Sequence, residues 1–398
     1  MKKITHLVVL AMAIVLTMGF VSCNNDPEPK EKPVKGYALK PGLEINDIFW
    51  NAEKLNAKEA TAFAKATAAP TDVSFYLDIA EKDVPVWYDE ANTSIYYYIE
   101  SGKKLILNED SSKMFAGLSY NEPAKFESID TSDFYTGNVT NMESMFYSCK
   151  TLKNLDLRSF DTSNVTNMKS MFYSCKTLKN LDLRSFDTSN VQNMRGMFET
   201  CSALETLDVS SFDTRNVQDM SFMFSGLSKI KQIDVSHFNT SNAVDMQYMF
   251  QSCRQLGSLD VSHFNTNNVT KINAMFKGCN NVKTLDVSHF NTSNVTDMWQ
   301  LFNGCLALES IDLSSFDIKN LTSTKNMFRE CHNLVTIYVS KNADWASSTV
   351  ITDSTDMFKD CPKLKGGAGT EYDAEKTDKS YARVDGGADS PGFFTAKK

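Results

Sequence analysis

Seven aspartates recur at one position of a repeated segment, 26 residues apart, and they are the strongest candidates for chemistry. They are Asp156, Asp182, Asp208, Asp234, Asp260, Asp286 and Asp312, and Asp130 begins the same column. If the repeats stack as neighbouring strands, the carboxylates lie about 5 Å apart, so they either raise one another's pKa or collect cations. Arg158 and Arg184 can offset the repulsion between carboxylates only in the first repeats. Three interpretations stay open: a solvated acidic face, a ligand-binding face, and a cation ladder.

Other residue types give weaker signals for chemistry. His237, His263 and His289 form a column that is otherwise Ser or Asp and lies next to a turn, so we expect no specific metal site there. The sequence shows no Ser-His-Asp or Cys-His arrangement, and no unique pair of acids suited to glycoside cleavage stands out. We therefore predict no catalytic residues, no metal and no cofactor.

The cysteines follow the same 26-residue period. One repeat position holds Cys149, Cys175, Cys201, Cys253, Cys279, Cys305 and Cys331, and Leu227 takes that position in the repeat that lacks a cysteine. A position that accepts leucine is a buried apolar position, where free cysteine behaves as a small hydrophobe. Neighbouring rungs would hold the Cβ atoms too far apart for a disulfide. We predict buried free thiols.

The repeats are the elements that must position all of these residues. Residues 145–165 and 171–191 are identical, and looser copies follow every 26 residues. A period of 20 to 50 residues is typical of a solenoid, in which each unit buries its apolar side against its neighbours. The predicted fold class is therefore an α/β repeat solenoid.

Within one unit, the apolar spacing predicts a helix followed by a strand. Met168, Met171, Phe172, Cys175 and Leu178 would share one face of a helix that Asn167 caps. The segment 181–183 alternates as a strand whose leucines point inward. Asn190, which recurs in eight units, is suited to bonding turn backbone at a stacked corner. We expect a leucine-rich-repeat-like stack of parallel strands with short helices on the opposite side.

The flanking segments predict the domain organisation. In chain order we expect a signal peptide at 1–22, a lipidated Cys23 with a tether at 23–36, an N-terminal α+β capping unit at 37–110, the solenoid at 111–364 and a closing segment at 365–398. Within the capping unit, 48–68 is interpreted as an Ala-rich helix and 72–107 as strands, with a hairpin turn at 89–93. Trp87 and the tyrosines at 96–98 suit a cap, although a sugar platform is the alternative.

Charge and targeting limit the partners. The chain has 398 residues and a net charge of −8, and removal of residues 1–22 takes away two lysines and no acid, which gives −10. An acidic chain without a basic stripe argues against nucleic acid. FVSC at 20–23 resembles the lipobox of bacterial lipoproteins, with Phe20 in place of the usual leucine. We expect contact with the membrane only through the lipid anchor.

The repeat itself, MF-x-x-C-x-x-L-x-x-LDLS-x-FDTSNVTNM, resembles the BspA-like leucine-rich-repeat surface proteins, including the branch first noted in mycoplasma lipoproteins. The resemblance implies a lipoprotein in the outer membrane that faces the cell exterior and adheres to host extracellular-matrix or cell-surface proteins. It supplies no catalytic residues. The expected function is non-catalytic adhesion. The alternative is a surface glycan-binding component, and an enzyme with a site in the N-terminal unit comes third.

Overall fold

A computed structural model describes residues 34–51, 54–71, 75–77, 84–117 and 123–398. The chain divides into two compact units, Met1–Lys35 and Gly36–Lys398, and almost all described residues belong to the second. The predicted signal peptide and the predicted lipidation site, Cys23, lie outside the described residues. No helix in the described ranges has the length and apolar character that a bilayer crossing requires.

The described chain is mostly strand and turn, with little helix. Its one α-helix is α1 (Gly42–Trp50), and two 3₁₀ helices cover Lys379–Tyr381 and Gly387–Asp389. The strands are β1 (Gly36–Ala38), β2 (Ala62–Lys65), β3 (Phe75–Leu77), β4 (Val84–Asp89), β5 (Ser94–Tyr97), β6 (Lys104–Ile106), β7 (Ser128–Ile129), β8 (Phe134–Tyr135), β9 (Asn154–Leu155), β10 (Ser310–Asp312), β11 (Thr336–Val339) and β12 (Phe394–Ala396).

Three sheets link the ends of the chain to the repeats. One sheet has the order β3-β4-β5-β2-β7-β9, with the β4–β5 hairpin antiparallel and β5, β2, β7 and β9 parallel. The second sheet is β1-β6-β8, and the third, β10-β11-β12, is parallel throughout. The N-terminal strands therefore join the same sheet as the first repeat strand.

The N-terminal unit differs from the prediction in its helix. The helix lies at Gly42–Trp50 rather than at 48–68, and Ala62–Lys65 forms strand β2 instead. Alanine is the best helix former, but intrinsic propensity is a weak preference that packing overrides, and here the pairing of β2 with two neighbours buries Phe63 against Tyr97 at a ring separation of 5.0 Å. The hairpin at 89–93 is confirmed, and the Asp89 carboxylate accepts the N–H groups of Ala91 and Asn92 in its turn.

Successive repeats stack in register. Single parallel bridges join Asn141 to Asn167, Asn167 to Asn193, and so on through Lys271, always 26 residues apart. After Ser323 the partner is Asp353, 30 residues on, because four residues are inserted there. Parallel sheets and this register support the predicted stack of repeats.

The predicted helix in each repeat is absent from the described repeats. The Met-x-x-Met-Phe-x-x-Cys segment consists of consecutive turns, in which the N–H of Met171 bonds Met168 and that of Cys175 bonds Phe172. The N–H groups of 168, 170, 172 and 174 instead donate to carbonyls of the next repeat, so they cannot close helical bonds. Left-handed residues such as Ser170 (φ 54°) and Ser174 (φ 61°) reverse the chain every four residues. The four-residue recurrence of these turns places the same side chains inward as a helix would.

The core between these turns is a set of repeated columns. Phe146, Phe172 and Phe198 are fully buried and stack nearly parallel, with ring centroids 5.7 and 5.8 Å apart. The cysteine column is buried and free, as predicted. Each thiol donates to a phenylalanine carbonyl of the preceding repeat, as Cys175 Sγ does to Phe146 O at 3.3 Å. Burial raises the pKa of Cys253 and of Cys305 to about 12, so these two thiols stay protonated at neutral pH.

The strand and the corner complete each repeat. Leu181 and Leu183 are buried, as the alternation predicts, although regular strand pairing among the described repeats occurs only near the two ends of the stack. The predicted asparagine corner is confirmed. In seven of the eight units, from Asn164 to Asn320, the side-chain amide of the asparagine donates to a backbone carbonyl of the preceding repeat, as Asn190 does to Ser163 at 2.7 Å and Asn268 does to Ser241 at 2.8 Å.

Candidate binding face

The aspartate column lies on one face of the stack, which we call the strand face. It comprises the outward residues of the segments equivalent to 180–184, namely the aspartate and the polar residues two positions before and after it. The flanking leucine, isoleucine and valine side chains are almost all buried, so the aspartates point away from the core. Asp156, Asp208, Asp234, Asp260 and Asp286 are exposed, and Asp182 and Asp312 are partly exposed. The structure therefore places all seven candidate residues on one surface.

Local hydrogen bonds determine the charge of these aspartates. In each of the seven, Oδ1 accepts the backbone N–H of the residue two positions later, for example Ser236 N to Asp234 at 2.9 Å and Ser288 N to Asp286 at 3.0 Å. In the serine-bearing repeats from Asp208 to Asp286, the serine side chain and then this backbone bond lower the pKa of the carboxyl. The Arg158 and Arg184 side chains lower the pKa of Asp156 and Asp182 to about 2.

Of the two predicted alternatives, raised pKa values or collected cations, the first is therefore wrong, because the pKa of each of the seven carboxyls is lowered. Repulsion between neighbouring carboxylates is present, as between Asp260 and Asp234, but it is weaker than the bonds each carboxylate accepts within its own repeat. The seven aspartates from Asp156 to Asp312 are therefore ionised at neutral pH. Asp312 differs because partial burial raises its pKa, but Lys397 and Ser314 outweigh that effect, so its pKa is also lowered.

Two hollows interrupt the strand face. The first has a volume of about 630 Å³ and lies over Asp260, Asp286 and Asp312, with Tyr338 and Lys397 at its end. The second has a volume of about 810 Å³ and brings Asp182 and Asp208 together with Arg184, Glu205 and Lys231. Both hollows have apolar floors, formed by Leu285 and Ile311 in the first and by Leu181 and Leu207 in the second. They contain donors as well as acceptors of hydrogen bonds.

Tyr338 and Lys397 are the site residues that the sequence reasoning missed. Tyr338 occupies the aspartate position of its strand, opposite Asp312, and it is 38% exposed. The available signal was the replacement of aspartate by tyrosine in an otherwise constant column. Lys397 forms an ion pair with Asp312 and a hydrogen bond of 3.3 Å to the Ser314 hydroxyl. It lies more than 80 residues away along the chain, so no local pattern connects it to the column.

The histidine column contacts backbone rather than a shared ligand position. His237 Nε2 lies 3.0 Å from Val209 O, and His289 Nε2 lies 3.0 Å from Phe264 O. Each of the three rings meets the next phenylalanine edge-on, with centroids 5.1 Å apart. Across the described residues, no three His, Cys, Asp or Glu side chains are grouped so that they could hold a metal ion.

Aromatic residues also lie beside the beginning of the column. Trp87 and Tyr96 are register partners on β4 and β5, with stacked rings 5.8 Å apart. Tyr96 is opposite Ala64 of β2, and β2 pairs with β7, which Asp130 follows directly. Tyr97, the residue after Tyr96, points inward and is fully buried. Trp87 and Tyr96 therefore extend the strand face into the capping unit, so this unit does more than close the end of the stack.

The turn side of the stack carries a smaller set of irregular residues. Arg195 lies 4.8 Å above the Phe222 ring, which stacks on Tyr248 at 4.4 Å. Burial raises the pKa of Glu199 to about 7, against a smaller lowering by Arg195. These residues are on the segments opposite the strand face and take no part in either hollow.

The sequence matches one family profile, described as "Mycoplasma protein of unknown function, DUF285", over residues 109–206, 175–285 and 257–370. A search of curated proteins found no match. Among solved structures, the chain is similar to one described as "Crystal structure of TLR13-ssRNA13 complex", at 14% identity and a TM-score of 0.25. That alignment covers 66% of this chain and 43% of the other, so the chain spans less than half of that neighbour. Such a TM-score is too low to indicate a shared ligand.

Proposed function

We propose a non-catalytic binding function for this chain, which belongs to the DUF285 family of repeat proteins. The observation that carries the proposal is the continuous strand face, with its ionised aspartate column and two hollows. Repeat proteins use such extended surfaces to hold partners across many repeats. We propose that the chain is a BspA-like leucine-rich-repeat solenoid and that its strand face is the adhesive surface.

The electrostatics of the face favour a partner with a basic surface. Arg158 and Arg184 neutralise the first two aspartates, and Lys397 neutralises the last. The four between them, Asp208, Asp234, Asp260 and Asp286, accept bonds from their own repeats, and none forms an ion pair among the described residues. Charges of one sign in a row steer and orient a partner of the opposite sign. Host extracellular-matrix or cell-surface proteins that carry basic segments fit this chemistry.

Replacement of these four aspartates by asparagine is expected to weaken adhesion at least about tenfold while the domain still folds, because charge complementarity is lost but an asparagine Oδ1 can accept the same turn bond. Asn239, Asn265 and Asn291 already accept such bonds elsewhere in the repeats. The measurement is binding of the purified full chain to immobilised matrix proteins at two salt concentrations, with thermal melts of each variant.

A matched control removes four charges from another part of the same repeats. Asp161, Asp187, Asp213 and Asp317 lie at the corner after the phenylalanine, where other repeats have asparagine. Their replacement by asparagine should leave adhesion unchanged. Equal losses in both quadruple variants would mean that net charge rather than the strand face controls binding, and would contradict the proposal.

We also propose that Cys23 is lipidated and holds the protein on the outer membrane, facing the exterior. Support comes from the apolar segment, the small Ser22 and the polar tether from residue 24 onward. In cells, Cys23→Ser is expected to leave the precursor uncleaved or to release the protein, as fractionation and mass measurement would reveal. Normal processing together with membrane retention of this variant would refute the anchor.

Glycan binding is a second candidate function. It is favoured by the first hollow, where an exposed tyrosine ring lies beside carboxylates, hydroxyls and one lysine. Trp87 and Tyr96 supply a further aromatic pair on the same sheet as the first repeats. Aromatic rings with polar groups around them are suited to partners that have both apolar and polar faces.

A further inference from the structure

We infer that the hollow at Tyr338 is a subsite for a neutral carbohydrate. The inference deepens the proposed function, because it rests on the strand face being the binding surface. It is carried by the break in repeat symmetry at this end of the column, by the lining of the hollow and by its bonding groups.

The repeat pattern changes where the hollow lies. Asp312 is opposite Tyr338 in the parallel register, and Tyr338 is opposite Thr395 on β12. The aspartate column therefore ends at an aromatic ring that is 38% exposed. The hollow beside it, about 630 Å³, has the size range of small-ligand sites. A flat ring beside an open hollow offers a surface on which the C–H face of a sugar ring can pack.

The hollow that begins at the ring also contains free acceptors, which lie one and two repeats beyond Asp312. Asp260 and Asp286 each use Oδ1 for the N–H and the hydroxyl of the serine two residues later, at 2.6 to 3.0 Å. Their Oδ2 atoms accept no bond from any described residue. The hollow therefore presents two ionised carboxylate oxygens that can accept hydrogen bonds from sugar hydroxyls.

Donors lie next to these acceptors. The hydroxyls of Thr284 and Ser310 line the hollow and bond no described side chain or backbone group. The Lys397 ammonium group also lines the hollow, where it pairs with Asp312 and bonds Ser314. A sugar hydroxyl both donates and accepts, so it matches a lining that alternates between the two.

The same lining disfavours a basic peptide at this position. Lys397 compensates Asp312 and places a positive charge at the aromatic end, where a lysine or arginine of a partner would approach the ring. A basic segment finds a better match over Asp208 and Asp234, which no described cation pairs. The two ligand classes therefore bind at different parts of the strand face: the sugar at the Tyr338 end, and basic protein segments over Asp208 and Asp234.

The test is binding of the purified full chain to an array of neutral oligosaccharides, with poly-L-lysine on the same surface as the basic probe. We expect the wild type to retain at least one neutral oligosaccharide. Both Tyr338→Ala and Tyr338→Asp, which restores the residue of the other repeats, should lose that signal roughly tenfold, because ring packing contributes about that factor. Tyr338→Phe should keep it within about twofold, since the ring face is unchanged.

One further variant and the four-aspartate variant described above make each outcome decisive. Tyr248→Ala, on the turn side, should bind sugar like the wild type, and thermal melts show that each variant is folded. A wild type that retains no neutral oligosaccharide, or a Tyr338→Ala variant that retains the sugar, overturns the inference. In that case loss of protein adhesion in the four-aspartate variant would leave the proposed function standing. A wild type that binds neither sugars nor proteins would reject both.

Discussion

Phe198→Ala is expected to lower the free energy of unfolding by about 3–5 kcal/mol, as truncation of a buried aromatic side chain does. Phe198 is completely buried, and its ring stacks on Phe172 at 5.8 Å and on Phe224 at 6.0 Å. The column is fixed on both sides by identical neighbours, so the surrounding repeats cannot close the cavity easily. The truncation removes contacts with two repeats at once.

Denaturant melts of the full chain measure the effect of Phe198→Ala. Tyr338→Ala is the matched aromatic truncation at an exposed position, and it should cost less than about 1 kcal/mol because little apolar area leaves water there. A loss for Phe198→Ala below about 0.5 kcal/mol would mean that the phenylalanine column is not the packed interior.

The inward residues of the repeat were predictable, but the backbone that carries them was not. Met168, Met171, Phe172 and Cys175 are all fully buried, as their i, i+3, i+4, i+7 spacing predicts. A helix and a series of four-residue turns place side chains at the same spacing, so periodicity alone cannot separate them. What separates them is the backbone: the turns leave every second N–H to bond the neighbouring repeat.

A signal against the helix was nevertheless present in the sequence. Two positions per repeat adopt left-handed conformations, and glycine occupies them at Gly196, Gly226, Gly278 and Gly304. Glycine is unfavourable inside a helix by about 1 kcal/mol and adopts positive φ without strain. Four glycines at two fixed positions of the repeat therefore favour turns over a helix.

The aspartate column, which recurs from repeat to repeat, was predictable from the sequence, whereas the non-repeated residue Lys397 was not. Each aspartate lies on the strand face because of its own neighbours in sequence, so alternation placed the column. Raised pKa values, one of the two predicted alternatives, are not found because the bonds to the residue two positions later are local to each repeat and outweigh repulsion across 26 residues, as at Asp260. Lys397 reaches Asp312 only through the parallel pairing of β11 and β12, which the sequence pattern did not reveal.

The threonine of the corner shows a second determinant of the stack that the sequence reasoning overlooked. The sequence pattern singles out Asn190 in the segment 186–191. Thr188 is nevertheless completely buried, and its hydroxyl bonds both the C=O and the N–H of Asp213 in the next repeat. Its hydroxyl donates to Asp213 O at 3.0 Å and accepts Asp213 N at 2.8 Å. The same pair of bonds recurs between Thr266 and Asn291 and between Thr292 and Asp317.

Thr188→Val is therefore expected to lower the free energy of unfolding by about 2–4 kcal/mol, because the isosteric methyl group removes the partner of both the N–H and the C=O of the partly buried Asp213. The measurement is a denaturant melt of the full chain beside Thr206→Val, the same substitution at an exposed threonine of the strand face, which should change stability by less than about 0.5 kcal/mol. Equal effects of the two substitutions would show that the corner hydroxyls do not hold the repeats together. A large effect confined to Thr188→Val would mean that the stack is tied by side-chain bonds at its corners as well as by its phenylalanine core.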